Sequence, residues 1–477
     1  MVAAAEEYAS CTTPFVTVVI LNYNGLRFLD DCLESIARLD YPSDRYEVIL
    51  VDNVSRDGSV EAAEKRFPRV RIVRNSRNLG FAAGNNVAMR ASRADYVALL
   101  NNDTAVDRKW LSALVEAAEQ DPTVGICTSK LLFRDNRLRV TLETSPFRPS
   151  DSGSSDQREL GVQLLGAQTV QGGETRSAEF LEGFYGLELS PRGAFRWSAA
   201  KATLGLRVPP DAERATLRLT AVAPRPDSRA VPVVLKAAGE PLGRWELDSA
   251  PRQIEIALPW SLLQQAGPVI QNAGTLILMD GSGRDRGTLV RGTDVYQEDD
   301  LKQYDRREEV FAGCGAAALF RKAMLEDVGL FDEDFFMYYE DMDLSWRARR
   351  RGWRVLYVPE AVVRHVHAAS SVEWSTFFMY HVERNRLLML AKNAPLELAG
   401  REHLRYAVEA VLNSGRYARS LARRSPDRHT LRTRIGIQLR VLASLAGQLP
   451  RTAAKRYHLR QREVVPSSEL LHWMVRG

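Results

Sequence analysis

Residues 16–53 read VTVVILNYNGLRFLDDCLESIARLDYPSDRYEVILVDN, and the order of textures along them decides the fold. VTVVILN (16–22) is a continuous apolar, β-branched run, as a strand buried on both faces requires. A helical piece follows, Arg27 to Leu39, and then a second buried strand, YEVILVD (46–52). Working outward, the alternation continues: helix Val60–Arg66, short strand RVRIVR, a helix starting near Asn85 and strand DYVALLN (95–101). Helix Lys109–Glu119 and strand VGICTS (124–129) complete it. Such alternation predicts an α/β domain with a parallel sheet covered on both faces and ligands at the carboxyl ends of the strands.

Those ends are polar four times in succession. They carry Asn22–Gly25, then Asp52–Asn53 with Ser55–Ser59, then Asn78–Asn86, then Asn101–Asp103. Turn chemistry explains one or two such ends, since Asn, Asp and Gly suit turns. Four together point to a nucleotide site. No G-x-G-x-x-G follows the first strand and no P-loop lysine occurs, which argues against an oxidoreductase or a P-loop enzyme.

From about residue 137 the texture changes. After a Ser-, Pro-, Asp- and Gly-rich loop (145–160) come short alternating strands: ATLRLTAVA, VPVVLKAAG, RWELD and QIEIALP. This predicts an all-β sandwich over 137–267, inserted between two parts of the α/β domain, 1–136 and 268–375. Insertion requires that its ends lie close together. A basic helical region, 376–477, follows.

The second part of the α/β domain ends in FDEDFFMYYEDMDLSWRARRRGWRVLYVPEAVVRHVH (331–367). Glu340, Asp341 and Asp343 precede a helical pattern closed by Gly352, and His365 and His367 share one side of an extended segment. Acids at a helix start also serve the cap and macrodipole, so the pair Glu340–Asp341 reads as a cap or as a site. Upstream, Gly313 and Gly315 flank Cys314, which permits close backbone approach to a ligand or makes a tight turn.

At 477 residues the chain is too long for a single core. Four scattered cysteines without a C-x-x-C pair fit a reducing compartment and exclude a zinc ribbon. The acidic first residues predict no signal peptide, and no apolar run reaches the ~18 residues of a membrane span. A cytoplasmic protein is expected. Between Arg416 and Arg462 thirteen Lys or Arg face one acid, a local +12 in a chain of net +5, so the remainder carries 5 − 12 = −7. Ile435, Leu439, Leu442, Ala446 and Leu449 form one apolar face between these arginines. That face is either an interfacial helix for anionic lipid at the inner membrane face or an ordinary packing helix.

VVILNYNG, ILVDNVSRDGS, NLGFAAGNN, LLNNDT, FAGCGAAALFR, GLFDEDFFMYYEDMDLSWRARRRGW and VPEAVVRHVHAASS resemble, in order, the family 2 glycosyltransferases of GT-A fold, in their rhamnosyltransferase-like branch. The resemblance spans roughly 14–136 and 268–375; the sandwich lies outside it. It implies an inverting transferase using a nucleotide-sugar such as dTDP-rhamnose, with Mg²⁺ or Mn²⁺, on a cell-surface or lipid-linked glycan, and no nucleic-acid partner. Asp52 would read the base, with Asn24, Asn78, Asn85 and Asn101 also on the donor, and Gly313, Gly315 and Glu340 on the acceptor. Asp341 falls on the general base. The Asp-x-Asp metal motif is thinned to Asn101 and Asp103, so a further ligand is needed; His365, with Ser370 in an H-x(4)-S context, is preferred to His367. The rival class is a non-catalytic glycan-binding or assembly protein that keeps a degenerate transferase domain.

Overall fold

The computed structural model describes residues 13–191, 193–291, 294–366, 375–423 and 428–476. His367 lies outside them. The chain forms two compact units: Met1–Leu132 with Gln271–Thr288 and Lys302–Gly477, and Phe133–Ile270 with Leu289–Leu301.

In the first unit the elements are β1 (Val16–Asn22), α1 (Leu29–Ala37), β2 (Tyr46–Asp52), α2 (Ser59–Arg66), β3 (Arg71–Arg74), α3 (Gly80–Ala91), β4 (Tyr96–Asn101), β5 (Thr104–Val106), α4 (Trp110–Glu119) and β6 (Val124–Phe133). After the insert come β7 (Glu308–Glu309), β8 (Ala317–Arg321), α5 (Lys322–Val328), α6 (Glu340–Arg350) and β9 (Arg354–His365). The helices α7 (Thr376–Asn393), α8 (Leu396–Arg423) and α9 (Arg428–Gln461) follow. The sheet runs β7-β9-β6-β8-β4-β1-β2-β3.

β1 pairs in parallel with β2 and β4, and β2 with β3, in a register that sets Asn22 beside Asp52 and Leu21 beside Asn101. The polar strand ends therefore share one edge. Apolar runs such as Val18, Ile20, Leu50 and Leu100 are buried with Leu33 and Leu114 of the covering helices, the burial that a central parallel strand requires. The sheet is not wholly parallel, however. β8 runs antiparallel to both β4 and β6, and β9 antiparallel to β5 and β7. Local sequence sets strand propensity but not direction; direction follows from how the chain returns after the insert.

The second unit is antiparallel. Its strands run in the order Glu240–Leu247, Val231–Ala237, Asn136–Thr144, Gly193–Val208, Gln163–Gln171, Ala215–Val222 and Arg252–Leu258. Leu138, Val140 and Leu142 share one core with Leu217, Leu219, Ile254 and Ile256, so alternate residues of both halves meet inside. Its ends are joined directly, Arg137 N–H to Gly267 O at 2.7 Å and back at 3.0 Å. The unit is wider than the expected 137–267 and takes in Leu289–Leu301, whose Asp299 accepts from Arg137 and Arg139 at 2.7 Å each.

Candidate active site

The loops at the common strand edge are tied by their own side chains. Asn22 donates to Ser55 and Ser59 Oγ (3.0 and 2.8 Å) and accepts from Asn102 (2.8 Å), fastening the ends of β1, β2 and β4. Asn24, with a left-handed φ of 52°, accepts from Arg56 N–H at 2.8 Å. Asp52 is buried, and its Oδ1 accepts from Ser55 N–H at 3.0 Å. Asn78 is exposed and accepts from Gly80 N–H at 2.8 Å. Asn85 departs from expectation. It is buried, and its Nδ2 donates to Phe81 O in its own helix at 3.0 Å. The reason is position: α3 starts at Gly80 rather than near Asn85, which places Asn85 within the helix.

β5 and β9 pair so that His365 lies opposite Thr104. That register brings His365 Nε2 to 3.0 Å from Asp103 Oδ1 and 3.4 Å from Asn101 Nδ2. Both Asp103 and His365 are more than nine-tenths buried. Gln271 Oε1 lies 3.0 Å from His365 Nδ1, so the ring is held from its far side with Nε2 facing the carboxylate. A carboxylate oxygen and a ring nitrogen set this way suit a cation: neighbouring ligands about 2.1 Å from an octahedral ion stand ~3 Å apart. Asp103 and His365 therefore fit a divalent metal as adjacent ligands. Among the described residues no three His, Cys, Asp or Glu gather as a metal cluster, and these two are the pair the described residues bring together there.

The acidic helix start is held against the same edge. Ala316 O accepts from Asn101 N–H at 2.9 Å, and Gly315 N–H donates to Asp341 Oδ2 at 3.0 Å. Asp341 thus sits one short backbone step from the end of β4. A Cβ on Gly315 would stand 3.3 Å from Phe81 and 3.5 Å from Asp341 Oδ2, and one on Gly313 3.0 Å from Ile126. The two glycines let the backbone approach other parts of the protein, and Gly315 places Asp341.

Asp341 is half-buried, and burial raises its carboxyl while the N–H groups of Gly315 and Met342 pull it back. Glu340 is buried, its Oε2 bonded to no partner among the described residues. Burial first, then the charges of Asp341 and Asp343, push it well above the usual carboxylate range. Both carboxyls are raised, and Glu340, with no backbone N–H from Gly315 or Met342 to hold it down, is raised the further. Cys314, raised by burial and then by Asp285 and Asp341, is excluded as a thiolate nucleophile.

The raised Glu340 carboxyl predicts a pH-dependent stability. The unfolded chain releases the Glu340 proton near the ordinary value of 4.5 and the folded chain only above it. Folding stability therefore falls as pH rises between those values. Glu340→Gln is expected to melt above wild type at about pH 7.5, with the gain gone at about pH 4. A thermal unfolding difference that stays constant across this range would show Glu340 ionised in the folded protein.

The loop before Glu340 is the part no local motif announces. Phe336, Tyr338 and Tyr339 all have positive φ, 65°, 71° and 70°. Asn385 of α7, fully buried, donates to the carbonyls of Phe335 (2.9 Å), Met337 and Tyr338 (2.8 Å each), while Arg384 donates to Asp334 O at 2.8 Å. Phe336 O accepts from the first amides of α3, Phe81 (2.6 Å) and Ala82 (3.1 Å), groups a helix start leaves unpaired. Gly80, at φ +75°, is required here because a Cβ would fall 2.5 Å from the Phe336 ring. Gln271, Arg384 and Asn385 were missed in the sequence, being isolated polar residues far from any motif.

The sheet, the polar strand edge and the acidic helix start together define a GT-A fold. The chain belongs to glycosyltransferase family 2: residues 17–171 match the family described as "Glycosyl transferase family 2" and residues 284–387 that described as "Glycosyltransferase like family 2". It is 32% identical over 103 residues to Glycosyltransferase AglE of Haloferax volcanii, covering 21% of this chain and 34% of that protein. It is 30% identical over 143 residues to an N-acetylglucosaminyl-diphospho-decaprenol L-rhamnosyltransferase of Mycobacterium tuberculosis, covering 27% and 45%. The matches thus span less than half the length of these relatives. Among solved structures, GalNAc-T7 with UDP, GalNAc and Mn2+ is similar at 12% identity and a TM-score of 0.40, over 80% of this chain and 50% of that one.

Proposed function

We propose that this protein is an inverting glycosyltransferase that moves a sugar from a nucleotide-sugar to a glycan acceptor, with Asp341 as general base. The observation that carries this is the Asp341 carboxylate, oriented by Gly315 N–H and joined through Ala316 to the polar end of β4. The acceptor hydroxyl oxygen attacks the anomeric carbon and its proton passes to Asp341. The bond from that carbon to the diphosphate breaks, and the electron pair leaves with the nucleoside diphosphate. Attack opposite the leaving group inverts the configuration. The buried, protonated Glu340 beside it keeps a second negative charge away and offers a hydrogen bond to the acceptor.

Asp52, Asn24, Asn78 and Asn101 are assigned to the donor side, and Asp103 with His365 would hold Mg²⁺ or Mn²⁺. The cation would neutralise the departing diphosphate. Rhamnose, from dTDP-rhamnose, is the donor sugar proposed, in line with the mycobacterial L-rhamnosyltransferase among the relatives. The acceptor is a cell-surface or lipid-linked glycan reached at the inner membrane face. The sandwich unit is assigned to acceptor positioning. Trp197, Phe184 and Tyr185 are taken up in packing: Trp197 against Phe147 and Phe195, Phe184 against Phe180, Tyr185 donating to Glu159 O. A cavity of about 230 Å³ lined by Phe180, Arg196, Asp294, Tyr296 and Gln297 combines aromatic rings with planar polar groups, which suits a sugar.

The test is a panel of nucleotide-sugars followed by thermal shift and by product formation, with and without metal. Metal-dependent stabilisation by one donor, and product with inverted anomeric configuration, are expected. Chelation should abolish turnover, and His365→Ala should raise the metal concentration needed by about tenfold or more. Donor binding without any transfer across an acceptor panel would favour the non-catalytic glycan-binding reading.

A further inference from the structure

The outer face of α8 is apolar where a surface helix should be polar. Leu404, Val408, Val411 and Leu412 are 66%, 48%, 71% and 56% exposed. The face that packs is a different one: Leu398, Glu402, Tyr406, Ala410 and Asn413 are buried. Each exposed apolar residue lies two positions from a buried one, about 200° around the helix. The helix therefore has two apolar stripes on opposite sides, and only one is covered by described residues.

Charge says what covers the other. Arg405, Arg416 and Arg419 are exposed beside the stripe, on long apolar stems that can lie along lipid while the guanidinium reaches headgroups. Between Leu404 and Arg419 the single carboxylate is Glu409, which is ion-paired to Arg434 at 3.3 Å. No helix among the described residues is long and apolar enough to cross a membrane. An apolar stripe bordered by arginines matches an anionic bilayer surface, apolar below and negative above.

We infer that α8 seats this protein on anionic membrane, with Leu404, Val408, Val411 and Leu412 in the acyl boundary and the flanking arginines on the headgroups. The surface differs from the stripe on α9 singled out in the sequence. On α9 the packed residues are Ile437, Val441 and Leu445, while Leu439 and Leu449 of the stripe read from the sequence are 57% and 54% exposed; there several cations are spent within the protein: Lys455 on Asp334 at 2.6 Å, Arg451 on Asp334 at 2.8 Å and Arg462 on Asp327 at 3.0 Å. The inference deepens the reading of a membrane-side acceptor and rests on it only for its biological sense.

The experiment is co-sedimentation of the full chain with vesicles of phosphatidylcholine alone and of phosphatidylcholine with an equal part of phosphatidylglycerol, at low and high salt. Binding to the anionic vesicles, weakened by salt, is expected. The double variant Leu404→Glu/Val411→Glu, both at exposed positions, should bind at least about tenfold more weakly, and Arg416→Glu/Arg419→Glu should lose most of the salt-sensitive part. Donor-induced thermal shift checks that both variants remain folded. Wild-type sedimentation by the double variant, or equal binding to both vesicle types, would overturn the inference. So would a wild-type dimer that the double variant dissolves without change in vesicle binding, which would make the face a protein interface. Vesicle binding needs no turnover, so Asp341→Asn should sediment as wild type, and failure here leaves the transfer reading standing.

Discussion

Asp341→Asn is expected to bind the nucleotide-sugar donor as wild type does and to transfer sugar at least about 10²-fold more slowly, the lower range for loss of a positioned base. The substitution is nearly isosteric, and its one oxygen can still accept from Gly315 N–H, giving up the bond from Met342 N–H, so the Gly315–Ala316 segment between β4 and α6 should stay in place. What is lost is the negative charge and the proton-accepting oxygen. The wild-type rate should rise with pH along a limb set above the ordinary aspartate value of 3.8, because the Asp341 carboxyl is raised and only its ionised form accepts the proton. The check is single-turnover transfer at saturating donor, with donor affinity measured separately. Near-normal transfer by the variant would reduce Asp341 to a helix cap.

Asn385→Leu should have the largest effect on stability of any single change outside the main core. It removes the shared amide donor from the carbonyls of Phe335, Met337 and Tyr338, of which that of Phe335 keeps the Met337 N–H at 2.8 Å. Unpaired buried carbonyls cost about 1–3 kcal/mol each. Residues held at positive φ, here Phe336, Tyr338 and Tyr339, add strain of the same order that only surrounding bonds sustain. A loss of roughly 3 kcal/mol in denaturant unfolding is expected, after part of the loop relaxes toward water. Asn385→Asp, the same shape without donors, should fall nearly as far, which separates hydrogen bonding from packing. Activity should drop beyond what the unfolded fraction explains, since Glu340 and Asp341 follow this loop directly. A variant with intact activity in its folded fraction would confine Asn385 to stability.

Most of the first unit was legible in the chain. VTVVILN and YEVILVD became β1 and β2 without a shifted residue, because uninterrupted β-branched runs have few other ways to be buried. The β insert was legible for the opposite reason, alternation of apolar and polar residues. Where α3 begins was not, since the turn is imposed by Gly80 meeting Phe336, a residue far along the chain. The body of the chain carries an acidic excess and the tail a basic one. In the fold part of each neutralises the other, as Lys455 does with Asp334 and Arg434 does with Glu409.

By itself the sequence determined which groups could do chemistry here: two neighbouring carboxylates, an isolated aspartate after β4, an imidazole and a row of polar strand ends. Only the tertiary structure decided where each of them stands and what it meets. Asp103 and His365 become neighbours through the β5–β9 register, and Gln271 meets the ring's other nitrogen from beyond the insert. Glu340 and Asp341 differ by one position in the chain, yet Asp341 receives a backbone N–H while Glu340 is buried with an oxygen that meets no partner among the described residues. Desolvation and hydrogen-bond supply depend on what the rest of the chain packs against a group. Local residue order carries the kind of chemistry available, and only long-range contact assigns the proton.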